Sequence, residues 1–139
     1  MNLSEIVMFF LMIVGVGIAL IFFNVFISNL KADIERTKTP LLTVRCGANS
    51  SLFSVSYPFV RLSCYDDFLV VRFLLKIVIF YIKIKEIYLR KKLFWFRVEI
   101  IYRANLYDEK IILVFLKKED ALKIFNLLNS KTKEVKVVE

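Results

Sequence analysis

Two cysteines, two adjacent aspartates and no histidine make up most of the reactive inventory of this 139-residue chain. Without His, the commonest general base and the commonest metal ligand are both missing. Cys46 and Cys64 lie eighteen positions apart with no C-x-x-C spacing, which does not read as a zinc or iron–sulfur site. Two reduced, half-buried thiols are the favoured reading; one disulfide stays open if they face an oxidising compartment. Asp66-Asp67 has the composition for paired-carboxylate acid–base chemistry, but Asp forms turns readily and a hairpin turn is expected. Ser50, Ser51 and Ser54 have no His partner and no G-x-S-x-G elbow. The three glycines, Gly15, Gly17 and Gly47, build neither a P-loop nor a G-x-G-x-x-G loop. The expectation is a non-enzyme with no cofactor and no metal.

What remains is charge. The chain holds 21 Lys and Arg against 13 Asp and Glu, a net of +8. That balance favours anionic partners. The densest cluster is Arg90, Lys91 and Lys92, with Lys83, Lys85 and Arg97 near in sequence. It is a candidate contact for anionic lipid headgroups, where each basic side chain contributes about 1 kcal/mol. The competing reading is a solvated hairpin edge that resists strand-to-strand aggregation. Trp95 beside it fits either an interface anchor or packing. Nucleic acid is not an expected partner, because the Phe and Tyr residues of the strands alternate inward.

The elements that must position this charge divide the chain in two. Its 58% hydrophobic content and mean hydropathy of +0.63 sit beside 24% charged residues. Ordinary domains are roughly 45–50% apolar. From Ile6 to Ile27 the only strongly polar residue is Asn24. At about 1.5 Å per residue that run spans roughly 33 Å as a helix, enough for a bilayer core. It is too long for a signal-peptide core, MNLSE before it has no basic residue, and no A-x-A follows. A retained anchor is expected. No Lys or Arg precedes it, whereas Lys31, Arg36 and Lys38 follow, which puts the C-terminal side in the cytoplasm. All the basic residues and every acidic one except Glu5 lie beyond the anchor.

Ser28–Thr39 reads as a helix extension or linker that Pro40 ends. Beyond it the hydrophobic period becomes two. Strands are expected around Leu42–Cys46, in a second piece around Leu52–Ser56, and at Val60–Cys64. Further strands are expected at Phe68–Phe73, Ile77–Tyr81, Ile82–Leu89, Phe94–Ile100 and Lys110–Leu116. Arg90-Lys91-Lys92 reads as a charged turn and Ala104–Glu109 as a polar hairpin loop. Phe68–Ile82 as a second membrane helix would place Arg72 and Lys76 near its middle, at about 2.5–3.5 kcal/mol each. As strand residues both face solvent. Ala121, Ile124, Phe125 and Leu128 then fall at helical spacing, with Glu119 and Asp120 in the first turn. The tail from residue 131 reads as polar and frayed.

The run FVRLSCYDDFLVVRF, followed by KIVIFYIKIKEIYL, resembles the opening of bacterial pleckstrin-homology-like (PH-like) domains. Tyr65, Asp66, Asp67 and Phe68 fill the first hairpin, and Tyr81, Ile84 and Ile87 the internal strand that follows. The late VEIIYRANLYDEKIILVFL and its short helix also fit, so the resemblance covers roughly Phe59 to Asn129. It implies a bent antiparallel barrel of six or seven strands plugged by a C-terminal helix. It implies a binding module rather than an enzyme. Phosphoinositide binding does not carry over, since Asp66-Asp67 stands where the lipid-binding members have a basic loop.

The expected layout is a transmembrane anchor at 1–28, a linker at 29–40, a PH-like domain at 41–130 and a polar tail at 131–139. The expected role is a single-pass, membrane-tethered adaptor on the inner face. Its expected partners are the bilayer, membrane proteins and anionic headgroups. The rival is an extracytoplasmic component of a pilus or secretion-type apparatus, with the domain outside.

Overall fold

Asn2 starts the first helix with a reciprocal cap. Its side chain accepts from the Glu5 N–H at 3.0 Å, and its own N–H donates to Glu5 Oε2 at 2.9 Å. In this computed structural model, which describes residues 2–30, 33–132 and 136–138, helix α1 runs Leu3–Asn29. It is long and apolar enough to cross a membrane. Its large apolar side chains are exposed around most of its circumference. Asn24, the polar residue within it, donates to the Leu20 carbonyl at 3.0 Å, so its amide stays within the helix.

A 3-10 turn at Asp33–Glu35 follows, then β1 (Leu42–Asn49), β2 (Ser54–Cys64), β3 (Phe68–Arg72) and β4 (Lys76–Phe80). A second 3-10 turn, Tyr81–Lys83, leads to β5 (Ile84–Lys91), β6 (Phe96–Ala104) and β7 (Tyr107–Phe115). Helix α2 (Lys118–Lys131) and the short β8 (Lys136–Val138) end the chain's described elements. The sheet order is β4-β3-β2-β1-β7-β6-β5-β8. The first seven strands are antiparallel to their neighbours, and β8 joins β5 in parallel. The sheet is open: β4 and β5 occupy different ends of the antiparallel order, linked only along the chain by the Tyr81–Lys83 turn.

Alternation places Val60, Leu62, Cys64, Leu69, Val71, Val98, Ile100, Ile111 and Leu113 in one core. Ala121, Ile124, Phe125 and Leu128 of α2 close that core against β5, β6 and β7, as their helical spacing demands. Tyr81, Ile84 and Ile87 are buried there too.

Several boundaries differ from the sequence reading. The two expected strands around Leu52–Ser56 and Val60–Cys64 are one, since β2 continues through Pro58. Arg90 and Lys91 belong to β5, paired with Arg97 and Phe96, and the turn itself lies at Lys92–Trp95. Phe94 therefore precedes β6 and is exposed. The Ala104–Glu109 loop shrinks to Asn105-Leu106, because Ala104 pairs with Tyr107 and Asn105 takes the left-handed conformation at φ 51°. The tail is not frayed throughout: residues 136–138 add β8 to the sheet edge, while 133–135 and 139 lie outside the described residues.

Candidate functional site

The outer face of β1–β3 carries a row of arginines. Register pairs Arg45 of β1 with Arg61 of β2, and Arg61 with Arg72 of β3. Period-two alternation puts all three on the side away from the main core. Like charges directly opposite destabilise a sheet unless something offsets them. Here the offset is the end of α1. Arg72 Nε donates to the Ile27 carbonyl at 3.4 Å. Arg61 donates from Nη1 to the Asn29 carbonyl and from Nη2 to the Leu30 carbonyl, each at 3.2 Å. Arg45 donates to the Ser28 hydroxyl and to the Asn29 side-chain oxygen.

A helix leaves its last carbonyls without intrahelical donors and carries partial negative charge there. The last turn of α1 holds no basic residue of its own. The strands supply it. Arginine suits the role because its planar fork reaches two acceptors at once. Ser28 is fully buried at this contact.

Glu35 completes the arrangement from the 3-10 turn and is fully buried. Arg61 Nη2 reaches its two oxygens at 3.0 and 3.1 Å, and the Tyr65 hydroxyl donates to Oε1 at 2.8 Å. Tyr65, Phe68 and Val70 form a small buried cluster beyond it, with Val78 packed alongside and Lys38 over the Phe68 ring. Asn29, Leu30, Glu35 and Lys38 of the segment expected to be a linker are thus held against the sheet. Burial and the neighbouring Arg61 hold the Arg45 guanidinium below its ordinary pKa. Burial, then the hydrogen bond with Glu35, pushes the Tyr65 hydroxyl up to about 12.

The residues singled out from the sequence do not gather into one patch. Lys85 pairs with Asp108 at 3.2 Å near one end of β5, while Lys91 lies near the other. Six residues of strand separate them by roughly 20 Å. Arg90 is held by Glu99 at 3.4 Å and lies over the Tyr88 ring. Glu99 also meets Lys110 at 3.9 Å, so one carboxylate is shared between two cations. Lys83 sits in the second 3-10 turn and Lys92 in the β5–β6 hairpin, both exposed. Arg97 is half-buried; its Nε has no acceptor among the described residues and lies beside a cavity of about 300 Å³ with Trp95, Gly47 and Tyr57.

Asp66-Asp67 makes the expected hairpin, closed by the Tyr65 N–H on the Phe68 carbonyl at 2.8 Å. Asp66 also pairs with Lys131 of α2 at 3.6 Å. Cys46 and Cys64 are free and fully buried, not half-buried.

Sequence reasoning missed Arg45, Arg61 and Glu35, and took Arg72 as solvent-facing. One signal was available: a single Arg at an outward position in each of three successive strands. No protein-family model and no curated protein matches the chain.

Proposed function

We propose that the chain is a membrane-tethered, non-catalytic binding module: a PH-like domain held at the inner face of a membrane by α1. The observation that carries this reading is the arginine row gripping Ile27, Ser28, Asn29 and Leu30. A freely tethered catalytic domain has no need of such a grip. An adaptor that must present one surface at a fixed height does.

The PH-like reading is supported by element order: a four-stranded meander and a three-stranded meander joined through β1 and β7, then one helix. The finer description as a bent barrel plugged by that helix is supported by α2 packing on β5–β7. The inner-face placement rests on Lys31, Arg36 and Lys38 after the apolar run, with no basic residue before it. A protein partner has an available mode of attachment in β4, which ends the sheet order and has one unpaired edge. Anionic headgroups suit the adjacent, exposed Lys91 and Lys92.

Two measurements test the reading. Leu106→Cys places a thiol on an exposed hairpin, whereas the native thiols are buried. A membrane-impermeant maleimide should leave it unlabelled in intact cells and label it once they are opened. Labelling from outside places the domain in the extracytoplasmic compartment instead. Co-purification in mild detergent should bring down a defined membrane protein, and recovery of the chain alone overturns the adaptor role.

A further inference from the structure

We propose that the β3–β4 hairpin tip, Leu74-Leu75, is a second membrane contact that dips into the bilayer interface beside α1, with Arg72 and Lys76 at headgroup level. The inference rests on α1 being a membrane anchor and extends that reading from the helix to the domain.

The order of contacts along the chain gives the direction. Arg72 meets Ile27, Arg61 meets Asn29 and Leu30, Glu35 meets Tyr65, and Lys38 lies over Phe68. As the chain leaves the apolar helix it therefore moves down β3 from Arg72 toward Phe68. Strand β3 runs the opposite way, from Phe68 to Arg72, so it heads back toward the apolar helix. Residues 73–75 continue past Arg72 in that direction. Arg72 pairs with Lys76 and the Phe73 N–H donates to the Leu75 carbonyl, so these residues form a turn whose tip, Leu74, lies at most about 7 Å beyond Arg72 at about 3.3 Å per residue. That distance equals about four residues of α1 at about 1.5 Å each, which counted back from Ile27 lies inside the apolar run.

Burial along α1 agrees. Asn24, Val25 and Ile27 are half-buried, while Phe22, Phe23 and Phe26 stay exposed. The strands hold this helix by contacts at Ile27, Ser28, Asn29 and Leu30. The strand end that touches Ile27 shares its depth.

The tip has the composition such a position needs. Leu74 and Leu75 are 55% and 62% exposed, and the paired Arg72 and Lys76 bracket them. Phe73 folds inward and meets Phe53 with ring centroids 4.6 Å apart. That contact ties the β1–β2 hairpin to the same end of the sheet, and Leu52 there is 85% exposed. Two neighbouring hairpins thus offer leucines with no protein partner, next to a helix that itself needs lipid. The long stems of Arg and Lys let their charged heads stay at the surface while the leucines enter. The occupant is the bilayer that holds α1.

The test uses the full chain in vesicles of zwitterionic and anionic lipid. An environment-sensitive fluorophore is placed in turn at Leu75→Cys, Leu74→Cys, Leu11→Cys and Asp67→Cys. Asp67 lies in the turn at the opposite end of β3, and the buried native thiols provide the unlabelled blank. Shallow lipid nitroxides should quench positions 74 and 75 several-fold more than 67, and aqueous iodide should show the reverse order. Position 11 should be quenched by deep nitroxides only. If 74 and 75 behave like 67 while 11 is lipid-quenched, the anchor stands and the second contact is wrong. If position 11 is quenched by iodide instead, the anchor reading fails and takes this inference with it.

Discussion

Arg61 grips the Glu35 carboxylate through Nη2 at 3.0 and 3.1 Å while the same guanidinium reaches the carbonyls of Asn29 and Leu30. One side chain of β2 therefore fixes both the end of α1 and the turn that follows it. Removing one partner of a buried ion pair leaves an uncompensated charge, at a cost of about 3–5 kcal/mol. Glu35→Gln should lower the unfolding free energy of the purified protein in denaturant by that order. Glu35→Gln combined with Arg61→Met should cost much less than the two single changes added together, because they remove one shared interaction. Additive losses would mean that the two residues act independently.

Alkaline pH should loosen the same region. Tyr65 is raised from an ordinary value of 10.0 to about 12, and burial also raises Tyr81 and Tyr102. A phenol with a raised folded-state pKa ionises first in the unfolded chain. Its contribution is thus complete below pH 10.0 and is lost as pH climbs toward the folded value. Stability should be flat near neutrality and then fall above about pH 10, by up to about 1.4 kcal/mol per pH unit for each such group. Tyr65→Phe should lower stability at neutral pH, where Glu35 loses a donor, yet make the alkaline slope shallower. A slope unchanged in Tyr65→Phe would show that this hydroxyl is not part of it.

The thiols should be inert in the folded protein. Cys46 and Cys64 are fully buried, and burial raises both pKa values, that of Cys64 to about 12. Register sets Cys46 opposite Val60, four residues along β2 from Cys64. That is roughly 13 Å of strand, against the 4.4–6.8 Å between Cα atoms that a disulfide spans. Ellman's reagent at pH 8 should register almost no thiol until denaturant is added, and then two per chain. A mild oxidant should produce no internally bridged species on non-reducing gels. Rapid native reaction of both thiols would contradict their burial.

Alternation carried the sequence reading furthest where one face is apolar without a break, as at Val98 and Ile100 or Ile111 and Leu113. Helical spacing did the same for Ala121, Ile124, Phe125 and Leu128. It failed at punctuation. Leu52–Ser56 and Val60–Cys64 read as separate strands, yet β2 passes through Pro58 as one, and three adjacent cations read as a turn although two of them are paired in β5. The arginine row left only a faint signal, for a different reason. Each of Arg45, Arg61 and Arg72 alone is an ordinary outward residue on a strand. Their meaning comes from register between strands and from the path of residues 27–35 across them, and neither is a local property of the sequence. Glu35 suffered likewise: one acidic residue after a helix carries no sign that Arg61 and Tyr65, 26 and 30 positions later, will enclose it.

Gly47 offers the sharpest test of how β2 crosses β1. The pairing register shifts between Cys46 and Ala48, and from Gly47 onward β1 also pairs with β7. No glycine in the described residues has a positive φ, so Gly47 is not needed for its conformational freedom. A strand glycine replaced by alanine would then be expected to gain about 0.5–1 kcal/mol. Space reverses that sign. A Cβ on Gly47 would meet the Tyr57 backbone nitrogen at 2.9 Å and the Val55 carbonyl oxygen at 3.0 Å. Both obstacles are backbone, which cannot swing aside as a side chain can, and the overpacking cost is about 1–3 kcal/mol. Gly47→Ala should therefore lower the unfolding midpoint by several degrees, since about 1 kcal/mol corresponds to about 4–8 °C in a domain of this size. A rise in the midpoint would mean that β2 does not approach β1 this closely at the bulge.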